Sequence, residues 1–384
     1  MPTRFYIIAG EASGDLHGSN LIKALRQTNP DAVIRCWGGD LMEAAGATLV
    51  KHYRDLAFMG FWEVIKNLPT IIRNLRFCKQ DILAFQPDVL VCIDYPGFNL
   101  RIAEWAHEKG FKIAYYISPQ VWAWKEKRVI TMKRIIDRMI CILPFEPDYF
   151  LQKWNWKVDY VGHPLLSVMN RIQQQASPTT IHWMLPDGST APPQQPVIAL
   201  LPGSRQQEIA TLLPIMLSVT QHFKAYDFAV AMAPGISPSF YQALLKPYPN
   251  VRCVHNQTHT LLLASTAAVV TSGTATLETA LLNVPEVVVY KGSPISYFIA
   301  KRLIDIRYIS LVNLISNKEV VKELIQDQLT TLQLESALKQ ILNNPQHQQE
   351  MKKHYTELRA MLNTGEDASE KAANIIINLA KATN

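Results

Sequence analysis

The chain has 384 residues, 48% of them hydrophobic and 18% charged, with a formal net charge of +6 and five cysteines. That length exceeds one ordinary core and fits two α/β domains, and the mild positive charge suits anionic substrates or an anionic membrane surface but is too weak to argue for nucleic acid. Cys36, Cys78, Cys92, Cys141 and Cys253 are scattered without CxxC or metal-ligand spacing, no secretory leader precedes the first strand, and no run of about 18 apolar residues offers a bilayer span; reduced thiols in the cytoplasm are expected.

The first strand, FYIIA at 5–9, enters the loop GEASGD and then a helix. The loop is neither GxGxxG nor GxxxxGK[ST], so no dinucleotide fingerprint or P-loop is present, yet open α/β sheets bind ligands at this place. Ser13 and Gly14 offer backbone amides there, and Glu11, Asp15 and His17 are candidates for acid–base work; alternatively Asp15 caps the helix and His17 is solvated. A second strand over 33–37 leads through Gly38-Gly39 to a short helix. Over 59–79, Phe61, Val64, Ile65, Leu68, Ile71, Ile72 and Leu75 recur at i, i+3, i+4 and i+7, with Trp62, Lys66, Arg73, Arg76 and Lys79 around them. This predicts an amphipathic helix that either packs on a core or lies in a bilayer interface, and that Pro69 kinks or restarts.

PDVLVCID at 87–94 reads as a buried strand carrying Asp94 at its carboxyl end, in the crevice where α/β proteins do chemistry; Asn99 is the better cap for the helix that follows. Strands over 113–117, 139–143 and 158–161 come next, with Trp122 and Trp124 placed before Lys125, Lys127 and Arg128, and His163 at a strand end facing the crevice. The alternation predicts a doubly wound sheet.

From 171 to 196 the chain turns to Gln, Pro, Ser and Thr, marking a boundary or an insertion. VIALLPGSRQQEI, from Val197, starts a second α/β unit in which the loop amides at Gly203 and Ser204 and the Arg205 side chain suit a phosphate. A strand over 267–270 ends in Ser272, Gly273 and Thr274, a helix follows, and Pro285 opens another strand. Free amides and the positive end of the helix dipole favour an anion at such a turn, and Gly273 allows its close approach. Glu278, one helical turn beyond Thr274, is placed to accept hydrogen bonds from a ribose diol, so the segment suits a nucleoside diphosphate; the alternative is an ordinary Thr274 N-cap and a solvated Glu278. Asn313 falls between two apolar pairs, and 334–381 reads as helices.

GEASGDLHG, MGFWEV, CIDYPGFN, ISPQVWAWKEKR, LPFE, VGHPL, LLPGSR, SGTATLE and SLVNLI, in this order over roughly 5–325, together resemble the lipid-A-disaccharide synthase family. The resemblance implies a GT-B glycosyltransferase fold, two Rossmann-like doubly wound domains facing a central cleft. An acceptor-binding, membrane-contacting domain would span 1–170, a linker or insertion 171–196, a UDP-sugar-binding domain 197–345, and helices returning toward the first domain 346–384. It further implies an inverting reaction that joins UDP-2,3-diacylglucosamine to 2,3-diacylglucosamine 1-phosphate (lipid X), giving a β-1,6-linked tetraacyl disaccharide 1-phosphate and UDP, at the cytoplasmic leaflet of the inner membrane. Carried onto this chain, it makes Asp94 the general base and assigns Gly203, Ser204, Arg205, Ser272, Gly273, Thr274, Glu278 and Asn313 to the donor site.

It also makes Trp62, Ile65, Leu68, Ile72 and Leu75 a membrane patch, and leaves Glu11, Ser13, Gly14, Asp15, His17 and His163 as candidates on the acceptor side. No cofactor is implied, the UDP-sugar being a substrate, and no DxD occurs to hold a metal on the diphosphate. No nucleic-acid partner is expected, and a homodimer is compatible with the reading. Gly97 stands where the family pattern has an acid, so no second carboxylate role is carried over there. The competing readings are a UDP-sugar epimerase on the same two-domain plan and a non-catalytic UDP-sugar- or lipid-binding protein.

Overall fold

Short aliphatic runs without polar alternation form strands that are buried on both faces, the signature of parallel sheets covered by helices; VLVCI and VIALL are buried at every position. The computed structural model describes residues 2–55, 68–174, 181–292 and 307–382. Two units divide it, one made of Met1–Pro164 with Leu362–Asn384 and the other of Leu165–Met361.

The first unit runs β1 (Arg4–Ala9), α1 (Ala12–Thr28), β2 (Val33–Gly38), α2 (Asp40–Ala44), β3 (Thr48–His52), α3 (Leu68–Phe85), β4 (Val89–Ile93), α4 (Pro96–Glu108), β5 (Lys112–Tyr116), α5 (Arg128–Ile135), β6 (Arg138–Cys141), α6 (Glu146–Trp154) and β7 (Asp159–Tyr160). Its parallel sheet has the order β3-β2-β1-β4-β5-β6-β7. The second unit takes up α7 (Pro164–Gln174) and continues through β8 (Val197–Leu201), α8 (Gln206–Ser218), β9 (Asp227–Met232), α9 (Pro238–Leu245), β10 (Arg252–His255), α10 (Thr258–Leu263), β11 (Ser265–Thr271), α11 (Thr274–Leu281), β12 (Glu286–Tyr290), α12 (Leu311–Ser316), β13 (Lys322–Ile325), α13 (Thr331–Asn343) and α14 (Pro345–Leu362). Its parallel sheet has the order β10-β9-β8-β11-β12-β13.

The last helix, α15 (Ala368–Lys381), belongs to the first unit. Asp367 caps it by accepting from the amides of Ser369 (2.8 Å) and Glu370 (3.3 Å), and its buried Ala372, Ala373, Ile376, Ile377 and Ala380 form the face that packs on α1 and β4 to β6.

In each sheet the first strand, β1 or β8, has its successor on one side and a later strand, β4 or β11, on the other. Sheet growth reverses there, so the loops leaving the carboxyl ends of the two neighbours part and open a crevice.

Two expectations change. The unit boundaries fall at 164/165 and 361/362, and the described part of the polar stretch over 171–196 is built into the second unit rather than strung between two. Met184 exchanges both backbone hydrogen bonds with Cys253 (3.1 and 2.7 Å), and Arg252 donates to the carbonyls of Ala191 (2.9 Å) and Pro192 (3.0 Å).

The apolar stripe near Leu68 also divides. Helix α3 is described from Leu68 to Phe85, and the residues that would show whether Pro69 kinks or restarts it lie outside the described ones. It buries Asn74, Cys78, Ile82 and Phe85, with Leu75 packed against the same core, while Leu68, Ile72, Phe77 and Leu83 lie exposed beside Arg73 and Arg76. Trp62 and Ile65 lie outside the described residues. Among the described residues no helix is long and apolar enough to cross a membrane.

Candidate active site

At the first crevice, β1 ends in Gly10 and Glu11. A Cβ on Gly10 would sit 2.2 Å from the Tyr95 ring, so only glycine lets that ring close over the turn. Glu11 is the extended N-cap residue of α1, and the first helical bond runs from the Asp15 amide to its carbonyl at 2.9 Å. The amides of Ala12, Ser13 and Gly14 therefore precede any helical acceptor, with Ser13 exposed and Gly14 buried against Ala9.

Asp94 follows β4. It and Tyr95 both take left-handed backbone angles (φ 42° and 48°), at a cost of about 1–2 kcal/mol each. Two donors hold the turn: the Asn99 amide (2.8 Å) and the Tyr115 hydroxyl (2.6 Å) both bond the Asp94 carbonyl. The same Asn99 nitrogen reaches the carbonyls of Ile8 (3.3 Å) and Ile93 (3.1 Å), tying β1 to β4. Asn99 thus lies inside α4 and serves the carbonyls behind it, whereas Tyr95 occupies the N-cap position with Pro96 next. The Asp94 carboxyl is exposed to solvent but set among protein on its other sides; burial, then the charge of Glu11, push it up to about 6, opposed by the Tyr95 amide. At pH 7 it is ionised roughly ten to one, a base close to the pH at which it would work. A Cβ at Gly97 would meet nothing within 4 Å.

The remaining candidates of this unit are committed inward. Asp15, 3% exposed, accepts from the amides of Gly39 (2.8 Å), Met42 (3.0 Å) and Leu41 (3.2 Å), so it caps the neighbouring α2 and not its own helix. His17 and His163 are buried and lie near one another; burial, then His17, lower His163 to about 3. His163 is therefore neutral at physiological pH, and it lies beneath the surface rather than at an open strand end.

The second crevice is flanked by the turns after β8 and β11. Gly203 has φ +112°, and a Cβ there would come 2.8 Å from a Glu208 oxygen. Ser204 is exposed beside it. Arg205 is the N-cap residue of α8 and, among the described residues, pairs with Glu208 across a solvent-facing 3.3 Å contact weak enough to yield to a stronger anion. Gly273, at φ 157° and ψ −162°, occupies a region of backbone space that is essentially glycine's alone, with open space where a Cβ would lie.

Ser272 fixes that turn from both sides, its amide bonded to the Val289 carbonyl (3.0 Å) and its hydroxyl to the Ile309 carbonyl (2.9 Å). Thr274 opens α11, and Glu278 follows one turn on, half-buried, with His259 of α10 at 3.4 Å. His259 is a neighbour that no spacing in the sequence marks.

Asn313 differs from expectation. Its amide nitrogen donates to the Val321 carbonyl (2.8 Å) and to Glu323 (2.9 Å), and its oxygen accepts from the amides of Val320 (2.7 Å) and Val321 (2.9 Å). All four hydrogen-bonding valences of its side-chain amide are used inside the fold. Glu323, gathering Ile309 N–H, Ser310 N–H and the Ser310 hydroxyl as well, fixes the segment that Ser272 grips.

The sequence profile described as Lipid-A-disaccharide synthetase matches residues 5–377. The chain belongs to the lipid-A-disaccharide synthase family. The synthase of Syntrophus aciditrophicus is 37% identical over 98% of this chain and 97% of its own length, and that of Coxiella burnetii (strain CbuG_Q212) is 34% identical over 97% of each. As a family member the protein is an enzyme, a glycosyltransferase of lipid A biosynthesis. Among solved structures, a UDP-GlcNAc 2-epimerase from Neisseria meningitidis bound to UDP-GlcNAc matches with TM-score 0.63 and 13% identity over all of both chains. CalG4, the calicheamicin glycosyltransferase, matches with TM-score 0.57 and 14% identity, covering 100% of this chain and 99% of its own. At such identities the likeness carries the fold alone, and that fold is GT-B.

Proposed function

We propose that this synthase transfers the diacylglucosamine of UDP-2,3-diacylglucosamine to the 6-hydroxyl of 2,3-diacylglucosamine 1-phosphate, giving the β-1,6-linked tetraacyl disaccharide 1-phosphate and UDP with inversion. The observation that carries the reading is Asp94: a carboxylate at a sheet switch point, in a strained turn held by Asn99 and Tyr115, and raised to about 6. In a single displacement it takes the hydroxyl proton as the oxygen attacks the anomeric carbon and the bond to UDP breaks. In the second unit, Arg205 and the amides at the starts of α8 and α11 receive the diphosphate charge, and Glu278 the ribose hydroxyls. The scheme invokes no metal. The exposed Leu68 and Ile72, with Arg73 and Arg76, support contact with the inner leaflet, where acylated substrates reside.

The test is mass spectrometry of the lipid product formed from both substrates in detergent with EDTA present. The tetraacyl disaccharide 1-phosphate is expected from the parent. Asp94→Asn should lose at least about 100-fold in kcat while binding UDP as before. Turnover by that variant at the parental rate would remove Asp94 as the base, and conversion of the UDP-sugar without acceptor would favour an epimerase.

A further inference from the structure

The loop between β5 and α5 carries cations that the described fold leaves uncompensated. Trp124 is 40% exposed, with Lys125 Nζ 4.4 Å and Arg128 Cζ 5.6 Å from its ring centroid. Two like charges on one indole repel, and burial, then Arg128, lower Lys125 below its ordinary value. Arg128 also begins α5, Lys127 is its N-cap residue, and no acid occupies the first turn, so positive charge meets the positive end of the helix dipole. Among the described residues no carboxylate pairs with Lys125 or Arg128, while Glu126 is engaged by Lys153 (2.6 Å) and Tyr149 (2.8 Å).

The loop is held firmly in this arrangement. The Trp122 indole donates to the buried Glu146 (3.3 Å) and stands edge-on to Phe145 at 5.1 Å, and Val121 and Ala123 are buried. Its backbone is left-handed at Ile117 (φ 67°), a β-branched residue, and again at Lys125 (φ 54°). Repulsion between the cations and opposition from the dipole are both relieved by one anion seated between Lys125 and Arg128. The position is informative too. β5 is the neighbour of β4, Ile93 pairing with Tyr116, and Tyr115, which feels the Arg128 charge, donates to the Asp94 carbonyl. The cluster therefore lies on the same sheet edge as the base, one strand along.

We propose that Trp124, Lys125 and Arg128 bind the phosphate monoester of the acceptor sugar, the two cations taking the dianion and the indole packing against the sugar's apolar face. The proposal rests on the transferase reading above. Arg supplies a planar fork for phosphate oxygens and Lys a point charge, an arrangement suited to a terminal phosphate.

The test compares the parent with Lys125→Gln, Arg128→Gln and the double variant, on 2,3-diacylglucosamine 1-phosphate and on the same sugar without its phosphate. Each single change should raise KM for the phosphorylated acceptor on the order of 10- to 100-fold, with kcat and the donor KM within about twofold. With the unphosphorylated acceptor all forms should behave alike. Equal losses on both acceptors would reduce the cluster to a structural role, and an unchanged KM would remove it from the site. A loss that instead follows weakened binding to acidic phospholipid vesicles would assign the cations to a lipid headgroup. Calorimetric binding of glucosamine 1-phosphate, present in the parent and lost in the double variant, tests the subsite without turnover. Failure of disaccharide synthesis with that binding retained overturns the transferase reading alone.

Discussion

The place of Asp94 at the carboxyl end of β4 was legible, because a single acid closing an aliphatic strand stands where α/β crevices form. Its setting was not legible: Glu11, far off in sequence, is brought near by the pairing of β1 with β4, and its charge is the second cause of the raised carboxyl. Since only the ionised form accepts a proton, kcat/KM should fall as pH drops through about 6. Glu11→Gln removes a like charge and should move that break to lower pH; a break that stays in place, measured over pH 4.5–8 on the order of one titration, would assign it to another group. Asn313 shows the reverse case. The resemblance alone assigned Asn313 to the donor site, and its side-chain partners, the amides of Val320 and Val321 and the Glu323 carboxylate, return to it only as the chain turns into β13. For Asp15 the sequence left acid–base work and a cap on its own helix both open, because its partners belong to α2.

Among the elements, the strands with unbroken aliphatic runs were plain from sequence, whereas TLVKH and KELI, which became β3 and β13, were not. Both lie at sheet edges, where one side stays half-polar and the apolar signal thins. β12 contains an opposite anomaly. Its first residue, Glu286, is fully buried, and among the described residues neither carboxyl oxygen has a hydrogen-bond partner; Tyr355 of α14 is buried beside it. Burial raises Glu286 well above the carboxylate range, so it is protonated when folded and ionised when unfolded at neutral pH. The folded state then binds more protons than the unfolded one, and stability falls as pH rises above about 4.3, by at most ~1.4 kcal/mol per pH unit, up to the folded value. Glu286→Met should abolish that slope and raise stability at pH 7 by about 1–4 kcal/mol in urea titrations. An unaltered slope in the variant would locate the proton uptake elsewhere.

At the scale of the whole molecule, the two α/β units could be read from length and the alternation of runs, but periodicity alone could not separate the exposed apolar side chains of α3 from those in the core. The same stripe sends Leu75 inward and leaves Leu68 and Ile72 48% and 42% exposed. Because both are exposed, Leu68→Glu with Ile72→Glu should leave the unfolding midpoint nearly unchanged while weakening cosedimentation with acidic phospholipid vesicles about tenfold. Loss of the folded state would show that this face supports the core after all.

Nor does local pattern say which sheet the helix over 368–381 serves; its small residues Ala372, Ala373 and Ala380 fit close packing, and only tertiary contact names α1 as the partner. That contact sets an order of assembly. The second unit is one uninterrupted stretch, whereas the first closes with residues that emerge from the ribosome after all of it. During synthesis the unit begun first is thus completed last, and until α15 arrives, the apolar surface of α1 that it will cover stands open to chaperones, or to wrong partners.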